Sequence, residues 1–458
     1  MYSRATFDTV THMKYIIIGG DAAGMTAAMQ IKRVDPKPEL IVFEKGSDTS
    51  YGACGIPYFF SGEVKNIENL VVVSPESFRQ KRGIDVRINS EVIEINPESK
   101  TIIVKTADGN EKHIYDKLLI ATGSSAILPP WPNNNLKNIF TIRNLDHARH
   151  LSKTLHTSIQ NIGIVGAGYV GLEMAEALSK KGLKVTLIEK NSMPLSGTND
   201  IIGQKIIDEL QKNGVAIHLN TTVTAFEGNT AVKKIIIDKG NIDVDLVIIS
   251  LGVKPNSELA QKAGLTLGPS GSIYVDNTMQ TSKPDIFSAG DCAQSIHGII
   301  NQPVYIPLAL PANRMGRVAG ANMAGQKEKM PPILGSAVTR VFDLLIAYTG
   351  LTSSQAKKLN WSHTCFQKEV GSTAHYMSNA KKVFVQVIVD PENGKMLGAE
   401  LAGHDSTIGA RINTVATALA AGFTVWDFAN IDLAYSPPFN PLWDPLLQVV
   451  NQATVDLK

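Results

Sequence analysis

Apolar residues cluster in short runs that end at glycine, and two of these runs open the same larger pattern. Residues 14–18 (Lys-Tyr-Ile-Ile-Ile) are followed by the turn Gly19-Gly20-Asp21-Ala22-Ala23-Gly24, a small-residue segment over 25–32, and a second apolar run, 40–43, ending at Glu44. Residues 161–165 lead in the same way into Gly166-Ala167-Gly168-Tyr169-Val170-Gly171, a segment over 172–180, and a run over 184–188 ending at Glu189. Short Ile/Val/Leu-rich runs bounded by glycine predict parallel strands buried on both faces, and the segments between them predict helices. Strand, glycine turn, helix and strand closed by an acid form the dinucleotide-binding pattern. The turn is tight, a pyrophosphate lies over the helix N-terminus, and the acid meets ribose hydroxyls.

The two copies differ. The first carries Asp21 where the middle glycine belongs, so that side chain must point away from the ligand. The second keeps all three glycines, and Glu189 favours an unphosphorylated ribose: NADH over NADPH, with Lys190 leaving NADPH open. Two further segments favour FAD at the first site. Residues 118–123 read as a strand entering a glycine turn, and 285–291 as a strand ending at Asp291, a carboxylate suited to ribitol hydroxyls. The candidate FAD residues are Gly19, Gly20, Ala23, Gly24, Glu44, Lys45, Thr122, Gly123 and Asp291. For NAD they are Gly166, Gly168, Tyr169, Gly171, Glu189 and Gly252.

Composition narrows the class without choosing the reaction. A chain of 458 residues with 43% hydrophobic and 19% charged residues predicts a folded protein of several domains. A net charge of +2 gives no support for nucleic acid. No apolar run is long enough to span a membrane, and residues 1–12 read as a polar extension, with Met13 an alternative start. Three widely spaced cysteines, Cys54, Cys292 and Cys365, argue against a secreted disulfide framework and for a reducing, cytoplasmic setting. Their spacing, and that of the histidines, predicts no metal site. Cys54, in Ser50-Tyr51-Gly52-Ala53-Cys54-Gly55-Ile56-Pro57-Tyr58, is the redox candidate. Without a neighbouring cysteine it must cycle through a mixed disulfide, a persulfide or a sulfenic acid.

Taken in order, these motifs and the late run Asp432-Leu433-Ala434-Tyr435-Ser436-Pro437-Pro438 resemble those of the FAD-dependent pyridine nucleotide–disulfide oxidoreductases. The likeness runs from about residue 14 to 447. It is strongest to the single-cysteine branch of coenzyme A-disulfide reductases, persulfide reductases, NADH oxidases and NADH peroxidases. The resemblance implies an α/β chain with two Rossmann-like three-layer domains and an α+β dimerisation domain. FAD would be held by residues 13–145 and 265–330, NAD(P)H by 146–264, and dimer contacts by 331–458. It also implies a homodimer in which the C-terminal domain of one subunit completes the other's active site.

The resemblance also sorts the sulfur chemistries. Oxidase and peroxidase members place a histidine in the first glycine turn, where this chain has Ala22. Coenzyme A-contacting residues of the disulfide reductases resemble Gln30, Arg33 and Ser50, and a basic group within 79–82 would suit a phosphate. Tyr435 matches a tyrosine placed over the partner's sulfur, and Tyr376 a second one. The expected catalytic set is Cys54, Tyr435 and Tyr376, with Cys54 as a low-pKa thiolate, and the expected substrate is coenzyme A disulfide or persulfide. Nothing like a rhodanese domain follows residue 447, which tilts the expectation toward the disulfide. The alternative is an NADH oxidase forming H2O2 or H2O.

Overall fold

A computed structural model describes residues 13–156 and 158–457; the extension expected over 1–12 lies outside the described residues. The first unit is a five-stranded sheet in the order Ile286–Ser288, Lys117–Ile120, Lys14–Ile18, Glu39–Phe43, Asp85–Arg87. Every pairing in it is parallel. Ile16, Ile17, Leu118 and Leu119 have no exposed surface, which is why these strands read as unbroken apolar runs. The second unit repeats the plan in the order Ala216–His218, Lys184–Ile188, Asn161–Val165, Leu246–Ile249, Ile139–Thr141, again all parallel. Each unit also carries a three-stranded antiparallel sheet, Glu91–Asn96 to Gly109–Ile114 in the first and Val223–Gly228 to Gly240–Asp243 in the second.

Strand pairing moves the boundaries expected from sequence. Ile139–Thr141, placed with the first domain by a break at 145, pairs with Leu246–Ile249 and completes the second sheet. The crossover segments Ser124–Ala126 and Val253–Pro255 pair with each other. The helix Glu258–Lys262 follows, and its Ala260 is buried in the core cluster of the first unit with Val92 and Ile95, so the return to that unit comes by Glu258, ahead of 265.

The third unit is an antiparallel sheet in the order Ala337–Val341, Leu344–Gly350, Met396–Gly403, Lys382–Val389, Thr364–Gly371. Its central strands are buried almost throughout, because both faces are covered. The helices Ile408–Ala421 and Pro445–Asp456 pack on one side, while Leu344, Ile346, Phe384 and Ala402 join a core cluster with Ile162, Leu172 and Ile206 of the second unit.

The helix Ala309–Met323 returns to lie against Ala22–Val34, with glycines at the contact. A Cβ on Gly316 would lie 2.2 Å from the Ala23 carbonyl oxygen, and one on Gly320 2.5 Å from that of Ala27. Both obstacles are backbone, so the helices must separate to admit a methyl group. Gly316→Ala should therefore lower stability by about 1–3 kcal/mol, read as a shift in the urea midpoint. Gly409→Ala, in a helix where a Cβ would meet only a Val338 methyl at 4.0 Å, should not destabilise the protein.

Candidate active site

The two glycine turns share one geometry. A Cβ on Gly19 (φ +108°) would lie 2.1 Å from the Ala121 oxygen, and one on Gly24 1.9 Å from the Gly19 oxygen. The matching values are 2.3 Å from Ser250 at Gly166 (φ +104°) and 2.0 Å from Gly166 at Gly171. Only glycine permits these approaches. Neither following helix, Ala22–Val34 or Tyr169–Lys180, has a side-chain cap, so each presents first-turn N–H groups to an anion.

Glu44 and Glu189 brace these turns in the same way. Glu44 accepts from the backbone N–H of Gly20 (2.8 Å) and Gly46 (2.7 Å). Glu189 accepts from Ala167 N (2.8 Å), Asn191 N (2.9 Å) and Asn191 Nδ2 (2.6 Å). A carboxylate has about four lone-pair sites, which leaves capacity for ribose hydroxyls. Lys45, beside Glu44, is exposed. Thr122 and Gly123 are knitted to the return crossover: Thr122 Oγ1 donates to the Asn256 oxygen (2.6 Å), and Asn256 N to the Gly123 oxygen (2.9 Å). Gly252 (φ +92°) accepts from Ile127 N on the same crossover.

Asp21 turns away from the glycine turn, as its position demands. Its Oδ1 accepts from Tyr51 N (3.1 Å) and ties the first turn to the loop that carries Cys54. Burial pushes the Asp21 carboxyl up to about 6, opposed by that hydrogen bond and by Arg143. Ser50, at φ +47°, anchors the same loop: its N–H donates to the Gly20 oxygen (3.0 Å) and its carbonyl accepts from Val72 N (2.8 Å). Cys54 then sits in the short turn Ala53–Gly55, ahead of the helix Ile56–Ser61, with its side chain exposed.

The expected low thiol pKa is not what the surroundings produce. Partial burial pushes the Cys54 thiol up, and Glu173, Asp291 and Asp21 add to this, while Arg143 opposes them. Burial is the largest of these causes, and of the charges only the guanidinium favours the thiolate. Sequence reasoning missed three residues of this shell. Arg143 donates to Asp291 (2.7 Å) and, through Nε and Nη2, to the Ser124 carbonyl (3.1 Å) and hydroxyl (2.9 Å). Glu173, on the Tyr169–Lys180 helix, accepts from Thr339 Oγ1 (2.9 Å), and burial pushes its carboxyl up. Arg340 lies over the Tyr58 ring (5.1 Å to its centre) and pairs with Glu63 and with Glu176 (3.5 Å). Their partners are distant in sequence; two glutamates, Glu173 and Glu176, in a largely apolar helix are the one available signal.

Other candidates fall in separate places. Gln30 is buried and its amide oxygen accepts from Arg33, which is exposed (3.3 Å). Arg79, exposed like Lys81 and Arg82 on the same helix, is occupied by the Val86 carbonyl (2.6 Å) and Glu76 (2.8 Å). The Tyr169 hydroxyl meets that of Tyr348 in the third unit (2.5 Å). Tyr376 and Tyr435 are 64% and 47% exposed, and the neighbouring Tyr376 hydroxyl pushes the Tyr435 phenol up. Neither is among the groups acting on Cys54 of the same chain. Cys292 is fully buried against the Ile120 and Ala289 carbonyls, and Cys365 lies in a strand of the third unit.

Two nucleotide-type sheets with an exposed cysteine in the loop of the first define a dinucleotide-binding fold with a redox-capable thiol, and sequence comparison places it. Residues 13–325 match the pyridine nucleotide-disulphide oxidoreductase family and residues 336–445 its dimerisation domain. The chain belongs to this family and is an FAD- and NAD(P)H-dependent oxidoreductase. It is 38% identical to the NAD(P)H coenzyme A polysulfide/persulfide reductase of Pyrococcus horikoshii, over 95% of this chain and 97% of that one. It is 29% identical to the coenzyme A disulfide reductase of Staphylococcus aureus, over 93% and 96%. The solved structure of reduced CoADR-RHD from Bacillus anthracis superposes with a TM-score of 0.94 at 31% identity, covering 98% of this chain and 81% of that one. Among the described residues, no helix is long and apolar enough to cross a membrane.

Asp21 gives a pH test of the site. Its carboxyl titrates near 6 in the fold against 3.8 when free, so the fold favours its protonated form. That contribution is complete below about pH 4 and lost as pH rises through 6, where a partly buried carboxylate must be carried. Asp21→Asn keeps an acceptor for Tyr51 N without the charge. It should be more stable than the parent by about 2 kcal/mol at pH 7.5 and equal to it near pH 4, measured as urea midpoints across pH. A gain independent of pH would contradict this assignment.

Proposed function

We propose that this enzyme uses NAD(P)H to reduce coenzyme A disulfide or coenzyme A persulfide through a single redox-active thiol, Cys54. The observation that carries the proposal is the isolation of that thiol. Cys54 opens to solvent between the two nucleotide-type units, while Cys292 is fully buried and Cys365 belongs to the third unit. A second cysteine is not there to close an internal disulfide, so a small thiol must supply the other sulfur. The relatives' names supply the class of thiol.

The chain's residues fit the two cofactors. Gly19, Gly20, Ala23 and Gly24 would hold the FAD pyrophosphate at an uncapped helix end, with Glu44 on the ribose and Asp291, fixed by Arg143, on the ribitol. Gly166, Gly168 and Gly171 would hold NAD(P)H, with Glu189 on its ribose; a Cβ at Gly168 would meet nothing within 4 Å, which leaves room for a phosphate. When bound, FAD supplies a two-electron carrier between the nicotinamide and sulfur.

The sulfur cycle then belongs to Cys54. Its thiolate attacks one sulfur of coenzyme A disulfide, breaking the S–S bond, releasing one coenzyme A thiolate and leaving Cys54–S–S–CoA. Two electrons from NAD(P)H cleave this mixed disulfide to the Cys54 thiolate and a second coenzyme A thiolate. One NAD(P)H and one proton are consumed for two thiols released. With the persulfide, attack at the sulfur attached to coenzyme A releases hydrosulfide and gives the same intermediate. Lys32, Arg33, Lys81 and Arg82 end two neighbouring helices, with Lys32 Nζ close to Gly83 and Arg82 over Phe78, and would receive the nucleotide phosphates of coenzyme A.

The active unit is a homodimer in which Tyr435 and Tyr376 of one subunit stand over Cys54 of the other. Support comes from their surroundings: Tyr376, Tyr435, Phe439, Leu442 and Trp443 form an exposed apolar face within the dimerisation domain. The Tyr435 phenol, held protonated at neutral pH, would donate to the departing thiolate.

Cys54→Ser tests the sulfur cycle. NADH oxidation driven by coenzyme A disulfide should fall by at least about a thousandfold, while NADH-driven dye reduction persists. Disulfide turnover surviving in Cys54→Ser, or a parent rate with coenzyme A disulfide no greater than with oxygen alone, would overturn the reading in favour of an oxidase.

A further inference from the structure

Resting on the half-site reading of Tyr435, we propose that Arg411 and Asn440 are positioning residues that fix Tyr435 and Tyr376 for the partner's active site. Arg411, on the helix Ile408–Ala421, is buried yet spends its guanidinium on loops rather than on its own core. Nε donates to Asp444 (3.0 Å). Nη1 donates to Asp405 (3.4 Å) and to the Thr407 hydroxyl. Nη2 donates to the Ser372 carbonyl (3.0 Å) and to Asn440 Oδ1 (2.6 Å).

Two of these contacts lead to the tyrosines. Asn440 passes the connection on through Nδ2, which donates to the carbonyl of Ala434, the residue before Tyr435 (2.9 Å). Ser372 closes the other loop: its N–H donates to the Lys381 carbonyl (2.8 Å), its hydroxyl accepts from Lys381 N (3.1 Å), and Tyr376 lies between them in sequence. The loops also touch directly, Ala374 N donating to the Pro437 carbonyl (3.3 Å). Asp444 completes the frame by capping the helix Pro445–Asp456 through Leu446 N (2.9 Å).

This frame matters because the tyrosines have so little else. Residues 430–444 contain no helix or strand, and both phenols point to solvent within one chain. A segment without regular structure keeps a side chain at a fixed place only through such contacts. One guanidinium, with its planar fork of donors, sets both loops relative to a single helix. Arg411 and Asn440 act through Tyr435 rather than on substrate.

The test is a double-mutant cycle on the dimeric holoenzyme. Asn440→Asp keeps an acceptor for Arg411 but removes the donor to the Ala434 carbonyl; Asn440→Leu, which removes both bonds without adding a charge, repeats the test if the first variant does not fold. Tyr435→Phe should lower kcat for coenzyme A disulfide by about a hundredfold. Asn440→Asp should lower it between about ten- and a hundredfold, with the KM for NADH and the rate of dye reduction unchanged. On the Tyr435→Phe background, Asn440→Asp should add almost nothing, because its effect passes through the missing hydroxyl. Independent, multiplying losses, or a silent Asn440→Asp beside a damaging Tyr435→Phe, would overturn the positioning role alone. A silent Tyr435→Phe would overturn the half-site reading and this proposal with it.

Discussion

Backbone-on-backbone contact at the glycine turns is the constraint from which the rest of the molecule follows. Gly19 against Ala121 and Gly166 against Ser250 bring a strand end, a turn and the neighbouring strand closer than any side chain allows. The turn then exposes a helix N-terminus with no side-chain cap, and a carboxylate from the next strand, Glu44 or Glu189, holds the turn rigid from below. The same economy of side chains continues where Gly316 and Gly320 lie on the first helix. One uncapped helix end is thus built twice from one short pattern.

Cys54 is placed by elements from all three units rather than by its own short helix. The loop before it hangs from the first glycine turn through Asp21 and Ser50. Arg143, just past the edge strand of the second sheet, reaches Asp291 of the first unit, and Arg340 of the third unit closes over Tyr58 while pairing with Glu176. A small cavity lined by Pro57, Tyr58, Ser61, Glu173, Glu176 and Ala177 lies where the helix after Cys54 meets the second unit. Such a junction keeps the sulfur at the meeting point of both nucleotide units, and it also gathers carboxylates that raise the thiol pKa. A proton donor and acceptor beside the sulfur matters more to an enzyme built this way than to one whose thiolate is stable by itself.

What was legible in the sequence was whatever is encoded locally. The helix expected over 25–32 is Ala22–Val34, and the strand expected over 161–165 is Asn161–Val165, because apolar period and glycine punctuation act within a few residues. The likeness to a family of known architecture carried the rest of the plan. Pairing between distant segments was not legible. Ile139–Thr141 joins the second sheet through a partner about a hundred residues on, and nothing in its own composition says so. Arg143 with Asp291, Arg340 with Glu63 and Arg411 with Asn440 are invisible for the same reason: a charged residue announces that it has a partner, not which one. Arg79 shows the converse, a cation that suits a ligand phosphate on paper and serves a backbone carbonyl in the fold.

The central claim is that each active site is divided between subunits, Cys54 on one side and the tyrosines on the other. Heterodimers formed from a Cys54→Ser chain and a Tyr435→Phe chain, purified through two different tags, test it directly. In such a dimer one site collects both lesions and the other receives neither, since its cysteine and its tyrosine come from opposite chains. Coenzyme A disulfide reduction should return to about half the parent rate per dimer, far above either variant homodimer. A heterodimer no more active than the average of the two homodimers would show that the tyrosine and the cysteine act within one chain, and would contradict the account.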